Sequence, residues 1–286
     1  MPALAETQVA AYRRDGFLCP VDVFTPAEAQ QLRAELEAHE ALHPSRGLKR
    51  DIAQYQRVNA HVVMETARRV AAERRILDAV ESLLGPDLMV WSCEYFIKEP
   101  HTTKVVSWHQ DLTYWGMDGS DHEVTAWIAL SPATEASGCM RFVPGSHGQA
   151  LVPHRDTFAE DNLLSRGQEI AVEVDEADAV VAALNPGQMS LHHGRLFHAS
   201  GPNVTDDRRI GLVVRYIRPD TPSTGVGRDY AMLVRGCDRT LGRINMVPPS
   251  GDFSPAAIAL YEEILAAQSA TLSDGAEGGV SLYAEA

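Results

Sequence analysis

His109 and Asp111, two residues apart in the stretch SWHQDLTYWG (107–116), carry side chains that bind metal ions. A strand turns alternate side chains to one face, so such a pair at a strand end can reach a single ion. The pattern is short, and chance supplies roughly one His-x-Asp triplet in a chain of this composition. A second one, His154-Arg155-Asp156, is indeed present. A third ligand from elsewhere in the chain is therefore required. The stretch LFHASGPN offers His198, followed at the same parity by Ser200. Two histidines and one carboxylate leave three coordination positions open, the arrangement that suits non-haem Fe(II) and oxygen. Shortly beyond His198, Arg208 and Arg209 open an apolar strand. A buried guanidinium needs an anion, and a bound carboxylate meets that need as a bidentate pair. Both parities of the strand are apolar, so alternation leaves the two arginines equal candidates.

The elements that must hold these residues change character along the chain. FTPAEAQQLRAELEAHE has Thr25 as N-cap, Pro26 at the first helical position and Glu28 three residues after the cap, which together specify a helix start. ERRILDAVESLLGP predicts a second amphipathic helix from about Glu73, stopped by Gly85 and Pro86. From Asp87 onward short segments rich in β-branched and aromatic residues predict strands at 88–98, 103–109, 123–130, 138–143, 169–174, 188–193 and 208–217. Gly/Pro turns separate them, which favours a β-sandwich or barrel over βαβ units. Ser254 and Pro255 start a last helix to about Gln268, with a frayed tail after Ser269. The expected organisation is one domain over 1–286, with a helical front (about 1–86), a β core (about 87–218) and a C-terminal loop and helix (219–286).

Composition narrows the partners. The formal charge is −14 in 286 residues, and no basic run exceeds two residues. Such a surface repels a phosphate backbone or an anionic bilayer, so neither nucleic acid nor membrane is expected. The four cysteines form no C-x-x-C pair, which argues against a zinc knuckle or a disulfide framework. The N-terminal segment lacks the apolar core of a signal peptide. A cytoplasmic monomer or homodimer acting on a small molecule is expected.

The ordered set WHQD (108–111), AWIAL (126–130), SGCMRFVPGSH (137–147), HASGPN (198–203) and RR…VVRY (208–216) resembles the phytanoyl-CoA dioxygenase family, which includes the ectoine hydroxylases. The resemblance implies a mainly β fold with flanking helices, built on a double-stranded β-helix of the jelly-roll, cupin-like kind. It implies Fe(II), 2-oxoglutarate as co-substrate and O2. It makes His109, Asp111 and His198 the iron ligands. The family spacing favours Arg209 over Arg208 for the distal carboxylate of 2-oxoglutarate, with Ser200 and Trp127 beside it. Ala199 stands where the family usually has glycine. Relatives that halogenate have a small residue in place of the carboxylate, so Asp111 implies an oxygenase that hydroxylates a C–H bond, with release of succinate and CO2.

The substrate side is less determined. Lys104, Arg166 and Arg235 stand singly beside turns near the expected barrel mouth, and Tyr114 and Trp115 follow the metal strand. They are the candidate substrate contacts for a small polar metabolite, either aminophosphonate-like or a natural-product intermediate. An acyl-CoA is the alternative within the family. Two readings from other classes use the same fold: a zinc hydrolase on the same three ligands, which leaves Arg209 and Ser200 without a task, and a non-catalytic binding protein, which does not need the ligands intact.

Overall fold

The computed structural model describes residues 3–117, 121–155, 157, 162–164 and 169–273. Its helices are α1 (Glu6–Asp15), α2 (Pro26–Arg46), α3 (Ile52–Arg57), α4 (Ala60–Val63), α5 (Glu65–Ala71), α6 (Arg74–Leu84) and α7 (Pro255–Ser273). Its strands are β1 (Phe17–Asp22), β2 (Leu88–Lys98), β3 (Val106–His109), β4 (Glu123–Ala129), β5 (Met140–Phe142), β6 (His154–Arg155), β7 (Glu169–Ile170), β8 (Val180–Ala182), β9 (Gln188–His192), β10 (His198–Ser200), β11 (Arg209–Ile217), β12 (Tyr230–Arg235) and β13 (Ile244–Asn245).

Two sheets make a double-stranded β-helix. The larger runs β1-β9-β4-β11-β2-β12-β13 and the smaller β3-β10-β5-β8; β6 and β7 form a separate ribbon. The helical front packs on the outer face of the larger sheet, chiefly through α3, α4, α5 and α6 against β2 and β4. Alternation decides what goes where. On β4, Ala126 and Ile128 enter the core shared with the helices, while Trp127 and Ala129 enter the core between the sheets. On β11, Ile210, Leu212, Val214 and Tyr216 face the helices. Arg209, Gly211, Val213 and Arg215 take the opposite parity and face the interior. The strand is buried on both sides, which is why its sequence reads as apolar at both parities.

The capping pattern at α2 forms as its residues dictate: Glu28 N donates to Thr25 Oγ1 (3.2 Å) and Thr25 N donates to Glu28 Oε2 (2.7 Å). The α6 helix starts after Glu73, whose side chain accepts from Arg75 N, and ends at Gly85. The core boundaries differ from the sequence reading. The helical front contributes β1, which pairs with β9 at the sheet edge, where Pro20 costs no ladder bond. Beyond residue 218, β12 and β13 extend the opposite edge. The strand expected over 169–174 pairs only at Glu169–Ile170, and α7 continues past Ser269 to Ser273. No helix among the described residues is long and apolar enough to cross a membrane.

Candidate metal centre

The smaller sheet brings the two distant histidines together. The antiparallel β3 and β10 set His109 directly opposite His198, with ring centroids 4.0 Å apart. After β3 the chain turns into a 3-10 segment at Asp111–Tyr114, fastened where Leu112 N donates to Gly194 O (3.1 Å). That turn swings Asp111 back toward both rings. Its Oδ1 lies 3.4 Å from His109 Nε2 and 3.8 Å from His198 Nε2. One ligand atom from each of His109, Asp111 and His198 lies within 4.8 Å of the others, and all three residues are buried.

The protonation pattern fits a cation. His109 Nδ1 lies 2.9 Å from Ser107 O, and His198 Nδ1 lies 2.9 Å from Leu196 O. A carbonyl only accepts, so each Nδ1 carries the proton and each Nε2 lone pair points at the shared space. Burial, then neighbouring His109, holds His198 well below its ordinary pKa, which keeps it neutral. Burial alone would raise Asp111, but His198, His109 and His192 hold it well below the usual carboxylate range. Two imidazoles and one carboxylate suit a divalent iron.

The triad opens into a cavity lined by Phe96, Trp127, Met140, Val213, Arg209 and Arg215, mostly apolar walls with a few polar groups, as in small-ligand sites. Arg209 lies at one end, 1% exposed. Its Nη1 donates to Gly138 O (2.8 Å), whereas Nε and Nη2 are buried with no partner among the described residues. Burial and nearby Arg57 push it down to about 9. Its guanidinium stacks 5.2 Å from the Trp127 ring. Room for that indole comes from Gly211, where a Cβ would sit 2.1 Å from Trp127 Cζ2. Two orphaned donors in a buried cation are what a carboxylate would satisfy, so this end fits the far carboxylate of a 2-oxoacid.

Arg208, one residue away, turns to the helical side and pairs with Glu40 (2.8 Å) and Glu99 (3.0 Å). Ser200 Oγ lies in the pocket and accepts from Lys98 Nζ (2.7 Å), which also donates to the carbonyls of Ser200 and Gly201. Lys98 is opposite Arg209 on β2. Burial, then Arg209, pushes its amine down to about 6.

Among the described residues, the proposed substrate contacts Lys104, Trp115 and Arg235 do not converge. Arg235 reaches α6 and pairs with Asp78 (2.8 Å) and Glu81 (2.6 Å), so it fastens β12 to a helix instead of entering the cavity. Lys104 is exposed and does not line the cavity. Trp115 backs the pocket: Arg215 stacks on it at 4.5 Å, and Trp91 lies behind at 5.1 Å. Arg166 lies outside the described residues, as does the Tyr114 side chain. His154 of the second triplet is engaged elsewhere: its Nε2 accepts from Gln110 N (3.1 Å) and its Nδ1 lies 2.9 Å from Val152 O, so both nitrogens are committed. Asp156 lies outside the described residues.

Three groups in or against the cavity were not singled out from the sequence as site residues. Lys98 is the last residue of the strand expected over 88–98. Arg215 shares the parity of Arg209, a signal that RRIGLVVRYI does contain. Its Nη2 donates to Glu94 Oε1 (2.6 Å) and its Nε has no partner among the described residues. Glu123, buried near Asp111, accepts from Thr125 Oγ1 (2.7 Å), and burial followed by Asp111 raises it to about 8.

The family model for phytanoyl-CoA dioxygenase (PhyH) matches residues 12–211. A probable alpha-ketoglutarate-dependent hypophosphite dioxygenase of Stutzerimonas stutzeri is 27% identical over 197 residues, covering 66% of this chain and 68% of that one. The chain spans between 44% and 68% of the length of the first curated relatives it matches. Among solved structures, the non-heme monooxygenase ThoJ in its apo form is 38% identical with a TM-score of 0.83, covering 93% of this chain and 98% of that one. Its nickel complex is 35% identical with a TM-score of 0.78, covering 93% and 99%.

Proposed function

The chain belongs to the phytanoyl-CoA dioxygenase family of Fe(II)- and 2-oxoglutarate-dependent oxygenases, and from that membership we propose that it hydroxylates a C–H bond of a small polar metabolite in the cavity beside His109, Asp111 and His198. The observation that carries the proposal is a pairing: three metal-binding side chains converge at one point of a cavity, and a buried arginine with two unpaired donors stands at its end. Iron bound there would supply oxygen activation coupled to the decarboxylation of 2-oxoglutarate to succinate and CO2.

The chain's own residues do the rest. His109 and His198 present Nε2 because backbone carbonyls fix their Nδ1 protons. Asp111 presents Oδ1, the oxygen nearer both rings. Arg209 takes the far carboxylate of the co-substrate, with Trp127 as wall and Ser200 alongside. A charged pair held this way fixes orientation as well as affinity. Phe96, Val106, Met140 and Val213 supply apolar walls, which exclude water and aim the substrate.

The hypophosphite relative favours a small substrate over an acyl-CoA thioester. Aminophosphonate-like compounds and natural-product intermediates are the first candidates. The test is succinate release on a panel of small phosphonates, amino acids and betaines against acyl-CoA esters, with iron stoichiometry measured on the same preparation. One iron per chain and stimulation by a small compound are expected. A clear preference for acyl-CoA overturns the substrate reading, and turnover with zinc in the absence of 2-oxoglutarate overturns the reaction.

A further inference from the structure

We propose that His192 is a positioning residue: it holds the second carboxylate oxygen of Asp111 so that Asp111 meets the metal through Oδ1 alone. The inference rests on the metal centre proposed above.

The two oxygens of Asp111 have different neighbours. Oδ1 is the one near His109 and His198, whereas Oδ2 lies 3.7 Å from His192 Nε2. His192 ends β9 in the larger sheet, on the far side of the cavity from β3, and is 1% exposed. Its ring packs 4.9 Å from His198 and 5.4 Å from Phe142. It stays outside the convergent set formed by His109, Asp111 and His198, so it acts on the carboxylate and not as a fourth ligand. Its Nδ1 is buried with no partner among the described residues. Leaving one nitrogen of a buried imidazole unsatisfied is unfavourable, and a phenyl ring would fill the same space beside Phe142 without that cost. An Nε2 that faces Asp111 Oδ2 across 3.7 Å is what an imidazole adds.

The chemistry explains the need. Asp111 stands on a turn, not in a strand, so the ladder does not fix its side chain. A metal held by these three side chains would need its other positions for the reactants. A carboxylate free to rotate can place its second oxygen on the metal and occupy a position the reactants need. A donor on Oδ2 prevents this, and outer partners of this kind commonly tune metal affinity by 10–100-fold.

The experiment uses Co(II) as probe with the full chain, in His192→Phe and His192→Gln. Phe keeps a ring and loses the donor; Gln keeps a donor that can reach a carboxylate. We expect His192→Phe to weaken Co(II) binding by about 10–100-fold. Its visible Co(II) spectrum should change, and so should its response to added 2-oxoglutarate. His192→Gln should restore both toward wild type. Wild-type Co(II) affinity and spectrum in His192→Phe overturn the inference, as do equal losses in both variants, which would mark a packing role. If the Phe variant does not fold, His192→Leu takes its place in the same comparison with Gln. A wild-type chain that binds no Co(II) overturns the metal centre itself, a different outcome from a wild type that binds while His192→Phe binds equally well.

Discussion

Replacing Arg209 by methionine separates the ligand-binding role of a buried charge from its structural cost. The guanidinium is 1% exposed, has one backbone acceptor and has two donors without a partner among the described residues. Unpaired burial of charge is unfavourable, so Arg209→Met should leave the ligand-free protein as stable as wild type or more so. Binding should respond in the opposite direction. Cutting one partner from a buried, hydrogen-bonded charge pair commonly costs ~2–5 kcal/mol, which is a loss of at least about 30-fold in affinity. At a 2-oxoglutarate concentration 100 times its Kd, wild type gains about 2.7 kcal/mol of stability. A 30-fold weaker variant at the same concentration gains less than about 1 kcal/mol. The assay is thermal unfolding with Ni(II) in place of iron, with and without 2-oxoglutarate. Arg208→Met is the control. It breaks half-buried pairs with Glu40 and Glu99, so it should lower Tm slightly and keep the ligand-induced rise. If Arg208→Met abolishes the rise and Arg209→Met preserves it, the assignment of the co-substrate end is wrong.

Alanine at His109, Asp111 or His198 should each remove stoichiometric metal binding measured by titration, while His154→Ala should keep it, because His154 is committed to Gln110 and Val152. Gly211→Ala should abolish the 2-oxoglutarate-induced rise in Tm and cost about 1–3 kcal/mol of stability by overpacking, since its methyl would meet the Trp127 indole. Burial, then Arg68, pushes His61 down to about 3 from an ordinary 6.5. As pH falls, the unfolded chain takes up that proton first, so the stability present above pH 6.5 is lost progressively toward pH 3, by about 2 kcal/mol at pH 5. His61→Leu should therefore show a drop in unfolding free energy, measured by urea titration, that is smaller by that amount between pH 8 and pH 5, and an unchanged drop would contradict it.

How far the residues alone foretell this site depends on which force places each one. The Thr25 capping box, the Gly85 stop and the span of β2 are local matters of hydrogen bonding and side-chain shape, and 88–98 reads from the sequence with the observed bounds. The metal ligands are legible because their spacing is tied to a strand end, although the closing of the triad depends on β3 pairing with β10, a contact between residues 89 positions apart. Arg208 and Arg209 could not be told apart by alternation. Each face of β11 buries apolar residues, so parity separates the two arginines only once the helices are seen on one side and the cavity on the other. Arg235 misleads for a related reason. A lone arginine beside a turn looks available until the acids of α6 are found opposite it.

Charge pairing decides which cations remain for a ligand. Arg33, Arg50, Arg75, Arg208, Arg235 and Arg243 are each matched to a carboxylate at hydrogen-bonding distance. In an acidic chain with 39 Asp and Glu against 25 Lys and Arg, a solvent-reachable arginine readily finds such a partner. Arg209 has none and is kept from the acidic surface by Trp127 and Phe96. Arg215, at the other end of the same strand face, has one acid, Glu94, and an unpaired Nε. The inward face of β11 therefore carries two donors spaced six residues apart, about 20 Å along a strand at ~3.3 Å per residue, with the metal ligands opposite. A co-substrate carboxylate at Arg209 leaves the Arg215 end for a second molecule. That molecule would meet a guanidinium that already donates to Glu94 and lies over the Trp115 ring. Such a surface favours a hydrogen-bond acceptor on a compact, polar substrate over an unbranched hydrocarbon chain.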